Sequence, residues 1–145
     1  MRPAYTVATV RAAEERLLAE QSHPDQLMQL AAAAVAEAAT SMLAAHPGAV
    51  VILAGPGGNG GDGLYAGALL AERGVDVHAL VPQEHHDAAL DAFLAAGGTV
   101  LPSDVSLPDG SETPGSALLI DAIAGLGSAR GLSGTALSLY EQAVA

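Results

Sequence analysis

Asn59, Asp62 and Asp121 offer oxygen atoms to a ligand where apolar runs of the sequence give way to glycine. Asn59 and Asp62 belong to A-G-P-G-G-N-G-G-D-G, residues 54–63, which follows the apolar run A-V-V-I-L-A and which we call the first glycine segment. Asp121 ends another apolar run, S-A-L-L-I-D. Amide and carboxylate oxygens suit a hard cation, and carbonyl groups of a glycine turn can complete its shell. Each aspartate could instead only cap a helix, and these residues alone leave both interpretations open.

The glycines match known nucleotide-binding patterns poorly. A Walker phosphate loop needs G-x-x-x-x-G-K-[ST], and the first glycine segment has no lysine, so we reject that interpretation. Residues 55–60 satisfy the G-x-G-x-x-G pattern, but a segment this rich in glycine meets it easily. The dinucleotide fold also expects an acidic residue at the end of the second strand, where this sequence has Val81-Pro82-Gln83. An ordinary Rossmann oxidoreductase stays open as a less favoured alternative.

Three further polar features each allow two interpretations. A second glycine segment, A-G-L-G-S-A-R-G-L-S-G, spans residues 124–134, and its Arg130 could bind a phosphate or pair with one of the many acids. Adjacent histidines tend to point apart, so we predict that His85-His86-Asp87 is a polar loop that starts a helix, not a metal site. Tyr65 could line a pocket or pack in the interior.

Alternating strands and helices must position these residues. The pattern predicts helices that begin at Thr6 or Thr9 and end near 20, and that span 25–45, 62–73, 87–96 and the last eleven residues. Pro24 and Asp25 are expected to open the second of these helices. Strands are predicted at 49–54, 75–81, 99–101 and 116–121, with a polar loop over 102–115. This alternation indicates right-handed crossovers and a parallel sheet, at whose carboxyl edge both glycine segments lie.

Composition restricts the class of partner. The net charge of −11 argues against nucleic acid and against an anionic membrane surface, because both attract basic proteins. The sequence has no cysteine, which excludes disulfides and thiolate metal sites. We see no secretory signal, and we expect no membrane-spanning helix, because no apolar run approaches the ~20 residues that such a helix needs. We therefore expect a cytoplasmic protein.

Four segments together resemble one family. V-I-L-A-G-P-G-G-N-G-G-D-G is similar to the strand and loop of NAD(P)H-hydrate epimerases, the YjeF N-terminal domain family, whose usual form is G-P-G-N-N-G-G-D-G. Y-T-V-A-T-V-R-A-A-E resembles the opening helix of that family, and L-M-Q-L-A-A-A-A-V-A its L-M-E-x-A-G segment. L-I-D-A-I-A-G-L-G-S-A-R-G-L-S-G resembles V-D-A-L-F-G-T-G-L-x-R-x-L-x-G. The resemblance covers the whole chain in the right order.

The resemblance implies a fold, a reaction and a cation. The fold is a three-layer α/β/α Rossmann-like sandwich with a mainly parallel sheet, here with an N-terminal helical extension. The enzyme interconverts the R and S forms of hydrated NADH and NADPH (NADHX and NADPHX), so that a partner dehydratase can act on one of them. Potassium would be bound by Asn59 and Asp121. The substrate would contact the following residues: Gly58, Asn59, Gly60, Gly61, Asp62, Gly125, Leu126, Gly127, Ser128, Ala129, Arg130 and Gly131.

Two departures from the family pattern bear on activity. Gly58 replaces the first asparagine of G-N-N-G-G-D-G. Family members also carry a V-D-x-P-S-G segment, which holds the expected catalytic aspartate, and no residue up to Ala145 matches it. We therefore expect residues 1–145 to be one domain of this type, incomplete at its C-terminus and with little or no turnover by itself. The alternatives are a catalytically silent nucleotide-binding module and a fragment of a bifunctional epimerase/dehydratase; a homodimer is implied by the family only.

Overall fold

A four-stranded parallel sheet forms the centre of the protein. The computed structural model describes residues 4–102 and 116–126, with Gly134, Leu137, Tyr140 and Glu141. The strands pair in the order β3-β2-β1-β4, and their bounds are β1 Ala49–Ala54, β2 Val77–Leu80, β3 Thr99–Val100 and β4 Ser116–Ala122. The helices are α1 Val7–Glu20, α2 Gln26–Ala45, α3 Gly58–Glu72 and α4 Asp87–Ala95. The predicted α/β class is confirmed. Most of the predicted loop 102–115 and of the predicted final helix lies outside the described residues.

β1 lies between β2 and β4, and this placement brings the two glycine segments together. Leu53 of β1 is opposite Leu80 on one side and Asp121 on the other. β1 and β4 run in the same direction, and their last residues, Ala54 and Ala122, lie opposite each other. The chain segments that follow these two strands therefore leave the sheet side by side.

β1 is buried on both faces, as its unbroken β-branched and aliphatic sequence predicts. Ile52 belongs to the larger core, which also contains the buried residues of α2, α3 and α4. Leu53 points to the opposite face and packs with Leu80 and Ile123. Phe93 of α4 is the largest fully buried side chain, so one aromatic ring completes a core built mainly from Ala, Val, Leu and Ile.

α3 begins four residues earlier than the sequence pattern predicts. The prediction placed its start at Asp62 because glycine is a poor helix former. In the structure the helix starts at Gly58, with Gly57 as its N-cap, so the second half of the first glycine segment is helical. Packing outweighs propensity here, because Gly60, Gly61 and Gly63 lie tightly against neighbouring backbone and side chains.

α2 also differs from expectation at its start. Pro24 lies outside the helix, and Asp25 is the N-cap residue. Asp25 directly precedes the helix, as predicted, but it has a left-handed backbone (φ 62°) and its side chain makes no capping hydrogen bond. The carboxylate is bound by other elements, as described below. Thr6, in contrast, caps α1 as predicted by accepting from the amide of Thr9 at 3.2 Å.

α2 is long and apolar enough to cross a membrane by length and composition alone. The helix has 20 residues, and an 18-residue window within it has a mean hydropathy of 1.4. The expectation from sequence missed this because nine of the 20 residues are alanines and polar residues interrupt the apolar runs. Ala32, Ala36 and Ala39 are buried against the rest of the core, where small side chains let α2 and α3 approach closely.

Candidate functional site

Glycines let the first glycine segment pack tightly at the ends of β1 and β4. The amide of Gly55 donates to the carbonyl of Ala122 at 3.0 Å. A Cβ on Gly55 would overlap the carbonyl oxygen of Ile123, and one on Gly60 would overlap the carbonyl oxygen of Gly55. Both positions therefore require glycine for close approach. Gly57 and Gly58 differ, because an added Cβ would meet nothing within 4 Å at Gly57 and only Met28 Cε, at 3.8 Å, at Gly58.

The side chain of Asn59 faces the start of the second glycine segment. A Cβ built on Gly125 would lie 3.8 Å from Asn59 Oδ1 and 3.6 Å from its Cβ. Asn59 is half-buried and belongs to the first turn of α3. The two glycine segments thus meet at Asn59 and Gly125, and backbone atoms of both are available to one ligand.

Asp121 lies at the end of β4 with an exposed side chain. Its Oδ1 accepts a hydrogen bond from the amide of Ile123 at 3.0 Å, which fixes the chain direction just after the strand. Ile123 is not helical, so this local bond is not the helix cap that the sequence left open for Asp121. Asn59 follows β1 and Asp121 lies one residue before the end of β4, and the oxygen atoms of their side chains are of the kind that suits a hard cation. Across 4–102 and 116–126 no three His, Cys, Asp or Glu side chains converge on a metal-sized space.

Asp62 is a half-buried carboxyl group in the first turns of α3. Burial, followed by the charge of Glu14, raises the pKa of Asp62 from its ordinary 3.8 to about 6, and His86 opposes both effects by lowering it. A carboxyl group with this pKa exchanges protons close to neutral pH.

α1 reaches both glycine segments, although none of its residues is buried. The Nη2 of Arg11 donates to the carbonyl oxygen of Leu126 at 3.4 Å. Glu14, one turn further along the helix, is close enough to affect the ionisation of Asp62. The N-terminal helical extension is therefore part of the surroundings of the site.

A cluster of Asp25, Tyr65 and His86, which the sequence did not predict, lies beside the first glycine segment. The hydroxyl of Tyr65 donates to Asp25 Oδ2 at 3.0 Å, and His86 Nε2 lies 3.4 Å from Asp25 Oδ1. Burial, followed by the hydrogen bond to Asp25, raises the pKa of Tyr65, so its hydroxyl keeps the proton that it donates. No local pattern could have found this cluster, because Asp25 and Tyr65 are 40 residues apart.

The other sequence predictions have mixed outcomes. His86 is the N-cap of α4, which confirms the predicted polar loop and helix start. Tyr65 packs against the core, which confirms the packing interpretation, and its hydroxyl donates to Asp25. Of the second glycine segment, Ala124, Gly125, Leu126 and Gly134 are described. The remaining predicted contacts lie outside the described residues: Gly127, Ser128, Ala129, Arg130 and Gly131.

Comparisons with known proteins agree with this arrangement. The chain is 46% identical to an NAD(P)H-hydrate epimerase of Microbacterium testaceum, over 98% of the chain and 54% of that protein. It is 39% identical to a bifunctional NAD(P)H-hydrate repair enzyme, Nnr, of Corynebacterium glutamicum, over 97% of the chain and 25% of that protein. The chain thus spans about half of the length of such epimerases and about a quarter of the bifunctional enzyme.

A solved structure and a family model match as well. The crystal structure of the yeast protein YNL200c superimposes with a TM-score of 0.77 at 21% identity, over 97% of this chain and 64% of that one, and shows that the fold is shared. The family model described as YjeF-related protein N-terminus matches residues 24–145. With the glycine segments, the parallel sheet and these relatives in agreement, the chain belongs to the YjeF-related protein N-terminus family.

Proposed function

We propose that this chain carries the substrate-binding part of an NAD(P)H-hydrate epimerase, which interconverts the R and S forms of NADHX and NADPHX. The observation that carries the proposal is the 46% identity to an epimerase over nearly the whole chain. The meeting of the two glycine segments at Asn59 and Gly125 supports it, because a dinucleotide-sized ligand needs backbone contacts from more than one loop.

In this proposal the substrate lies across the carboxyl ends of β1 and β4. The open approach at Gly57 and Gly58 leaves amides at the N-terminus of α3 accessible, and such amides bind phosphate well. The substrate contacts are those that the resemblance implies, in the first glycine segment from Gly58 to Asp62 and in the second from Gly125 onward.

Potassium is the cation that we propose for this site, held by Asn59 Oδ1 and the carboxylate of Asp121. The donors fit in kind, because both are oxygen atoms and they lie at or after the ends of two paired strands. A bound cation supplies positive charge, which would let two carboxylates and the phosphates of the substrate share one crevice.

Epimerisation at the hydrated carbon needs a group that gives a proton and one that takes it. We assign one of these roles to Asp62, since it lies in the first glycine segment and its pKa of about 6 suits proton exchange near neutral pH. The aspartate of the V-D-x-P-S-G segment that the family carries would supply the other role. A dehydratase, as a further domain or a separate protein, would consume one epimer; a homodimer and a cytoplasmic location stay predictions.

The proposal is tested with a single epimer of NADPHX. The full-length protein is incubated with it in potassium or in sodium buffer, and the two epimers are separated by chromatography over time. We expect the mixture of R and S forms to appear faster than without protein, and faster in potassium than in sodium. Conversion at the uncatalysed rate, combined with binding of the hydrate, would favour the silent binding module. Tight binding of intact NADH without a potassium effect would favour an oxidoreductase.

A further inference from the structure

We propose that Asp25, Tyr65 and His86 act together as positioning residues, which hold the start of α3 so that the first glycine segment presents its backbone and Asn59 to the substrate. The inference rests on the proposed function, because it assigns these residues to the same site. It adds a contact between three elements that lie far apart in the sequence: the start of α2, the second turn of α3 and the start of α4.

The carboxylate of Asp25 contacts Tyr65 and His86 and does not make the capping hydrogen bond that is usual for an aspartate at this position. An aspartate that precedes a helix normally caps it from an extended backbone. Asp25 instead has a left-handed backbone and directs its carboxylate to Tyr65 and His86. Few residues other than glycine adopt this conformation, and they do so where surrounding contacts hold them there.

The orientation of His86 follows from its two contacts. Its Nδ1 accepts a hydrogen bond from the amide of Ala89 at 3.2 Å, as the cap of α4. In the neutral ring the proton is therefore on Nε2, which faces Asp25 Oδ1. One imidazole thus links the start of α4 to the start of α2.

The cluster is in direct contact with the first glycine segment. A Cβ on Gly61 would lie 2.5 Å from Met28 Sδ and 3.2 Å from His86 Cγ, so the absence of a side chain lets both groups reach the backbone of α3. Tyr65 follows Gly61 by one helical turn on the same side of α3. The cluster therefore holds α3 at two successive turns, next to the residues assigned to the substrate. Reactions that depend on orientation are sensitive to displacements of about 1 Å.

The test uses variants that remove one contact and keep the fold. Tyr65→Phe removes the hydroxyl, and His86→Asn removes Nε2 but keeps a side chain that caps helices well. Glu37→Gln is the matched control, because it breaks the ion pair with Arg73, a different contact between α2 and α3. In the full-length protein we expect Tyr65→Phe and His86→Asn each to lower kcat/KM for NADPHX by about three- to tenfold, mainly through kcat. Glu37→Gln should leave kcat/KM unchanged.

The amide NMR chemical shifts of residues 57–61 test the inference independently of the proposed function. If the wild-type protein does not convert NADPHX, the proposed function fails, but the shifts still report on the cluster. We expect Tyr65→Phe and His86→Asn to move these shifts and Glu37→Gln to leave them unchanged. Two results would overturn the inference: unchanged shifts and kcat/KM in both cluster variants, or equal losses in the Glu37→Gln control.

Discussion

Asp62 combines a cost in stability with a role in the proposed reaction. Because burial raises its pKa to about 6, the folded protein binds this proton more tightly than the unfolded chain does. The contribution of Asp62 to stability is therefore most favourable below pH 4, falls as the pH rises from about 4 to about 6, and stays lower above that. We predict that Asp62→Asn increases the free energy of unfolding at pH 7.5 by about 1–2 kcal/mol, a figure reduced for the partial exposure of the side chain.

Urea unfolding of both proteins at pH 4 and pH 7.5 measures this difference. The gain should be much smaller at pH 4, where wild-type Asp62 is protonated in the folded state and partly protonated in the unfolded state. Asp91→Asn, on the exposed side of α4, is the control for the loss of one carboxylate. An equal gain at both pH values would contradict the explanation.

Glu14 is expected to act on Asp62 across the gap between α1 and α3. Since its negative charge raises the pKa of Asp62, Glu14→Gln should lower that pKa. Carbon NMR of the Asp62 carboxyl group during a pH titration measures the shift. Glu15→Gln changes the net charge equally from the neighbouring position, so an identical shift in both variants would show that α1 does not place Glu14 next to the site.

At the residue scale, the sequence predicted which residues lie at the ends of strands, but not which side chains contact one another. Asn59, Asp62 and Asp121 could be placed at one edge of the sheet because each lies at or beyond the end of a strand, and strand ends of a parallel sheet share one edge. Asp25, Tyr65 and His86 could not be found, because each lies within an ordinary local pattern and only the packing of three helices brings them together.

At the scale of elements, the glycines at the start of α3 divide into two kinds that a matched pair of variants can separate. Gly60→Ala should destabilise the protein by about 3 kcal/mol, because the new methyl group would overlap backbone that is itself packed against Ile123. Gly57→Ala should cost less than about 1 kcal/mol, because nothing lies within 4 Å of the added atom. Thermal unfolding compares the two, and equal losses would contradict the assigned packing.

Phe93 is predicted to be the main side-chain contact that holds α4 to the core. It is fully buried, and its ring fills the space next to Gly67 and Gly98. Phe93→Ala should lower the free energy of unfolding by about 3–5 kcal/mol through lost burial and a cavity. Leu94→Ala is the neighbouring control, because Leu94 is 48% exposed, and a comparable loss there would argue against this packing.

Element types were predictable, and most element boundaries were close. β1 agrees with its prediction because a short, fully apolar β-branched run suits a buried parallel strand. The start of α3 was wrong because propensity scales count glycine against a helix, whereas close packing at Gly60 and Gly63 favours glycine here.

At the scale of the whole molecule, the parallel sheet was predictable from the alternation of strands and helices, but its strand order was not. β4 pairs with β1 and not with β3, and this long-range choice brings Asp121 next to the first glycine segment. Local patterns carry no information about that choice.

The most direct measurement compares the rate of epimer exchange in three full-length proteins: wild type, Asp62→Asn and Asp91→Asn. We predict that the wild type and Asp91→Asn interconvert the R and S forms of NADPHX at equal rates. Asp62→Asn should be slower by about 100-fold, while remaining folded. Exchange by the wild type at the uncatalysed rate, or undiminished exchange by Asp62→Asn, would contradict an epimerase site at the first glycine segment.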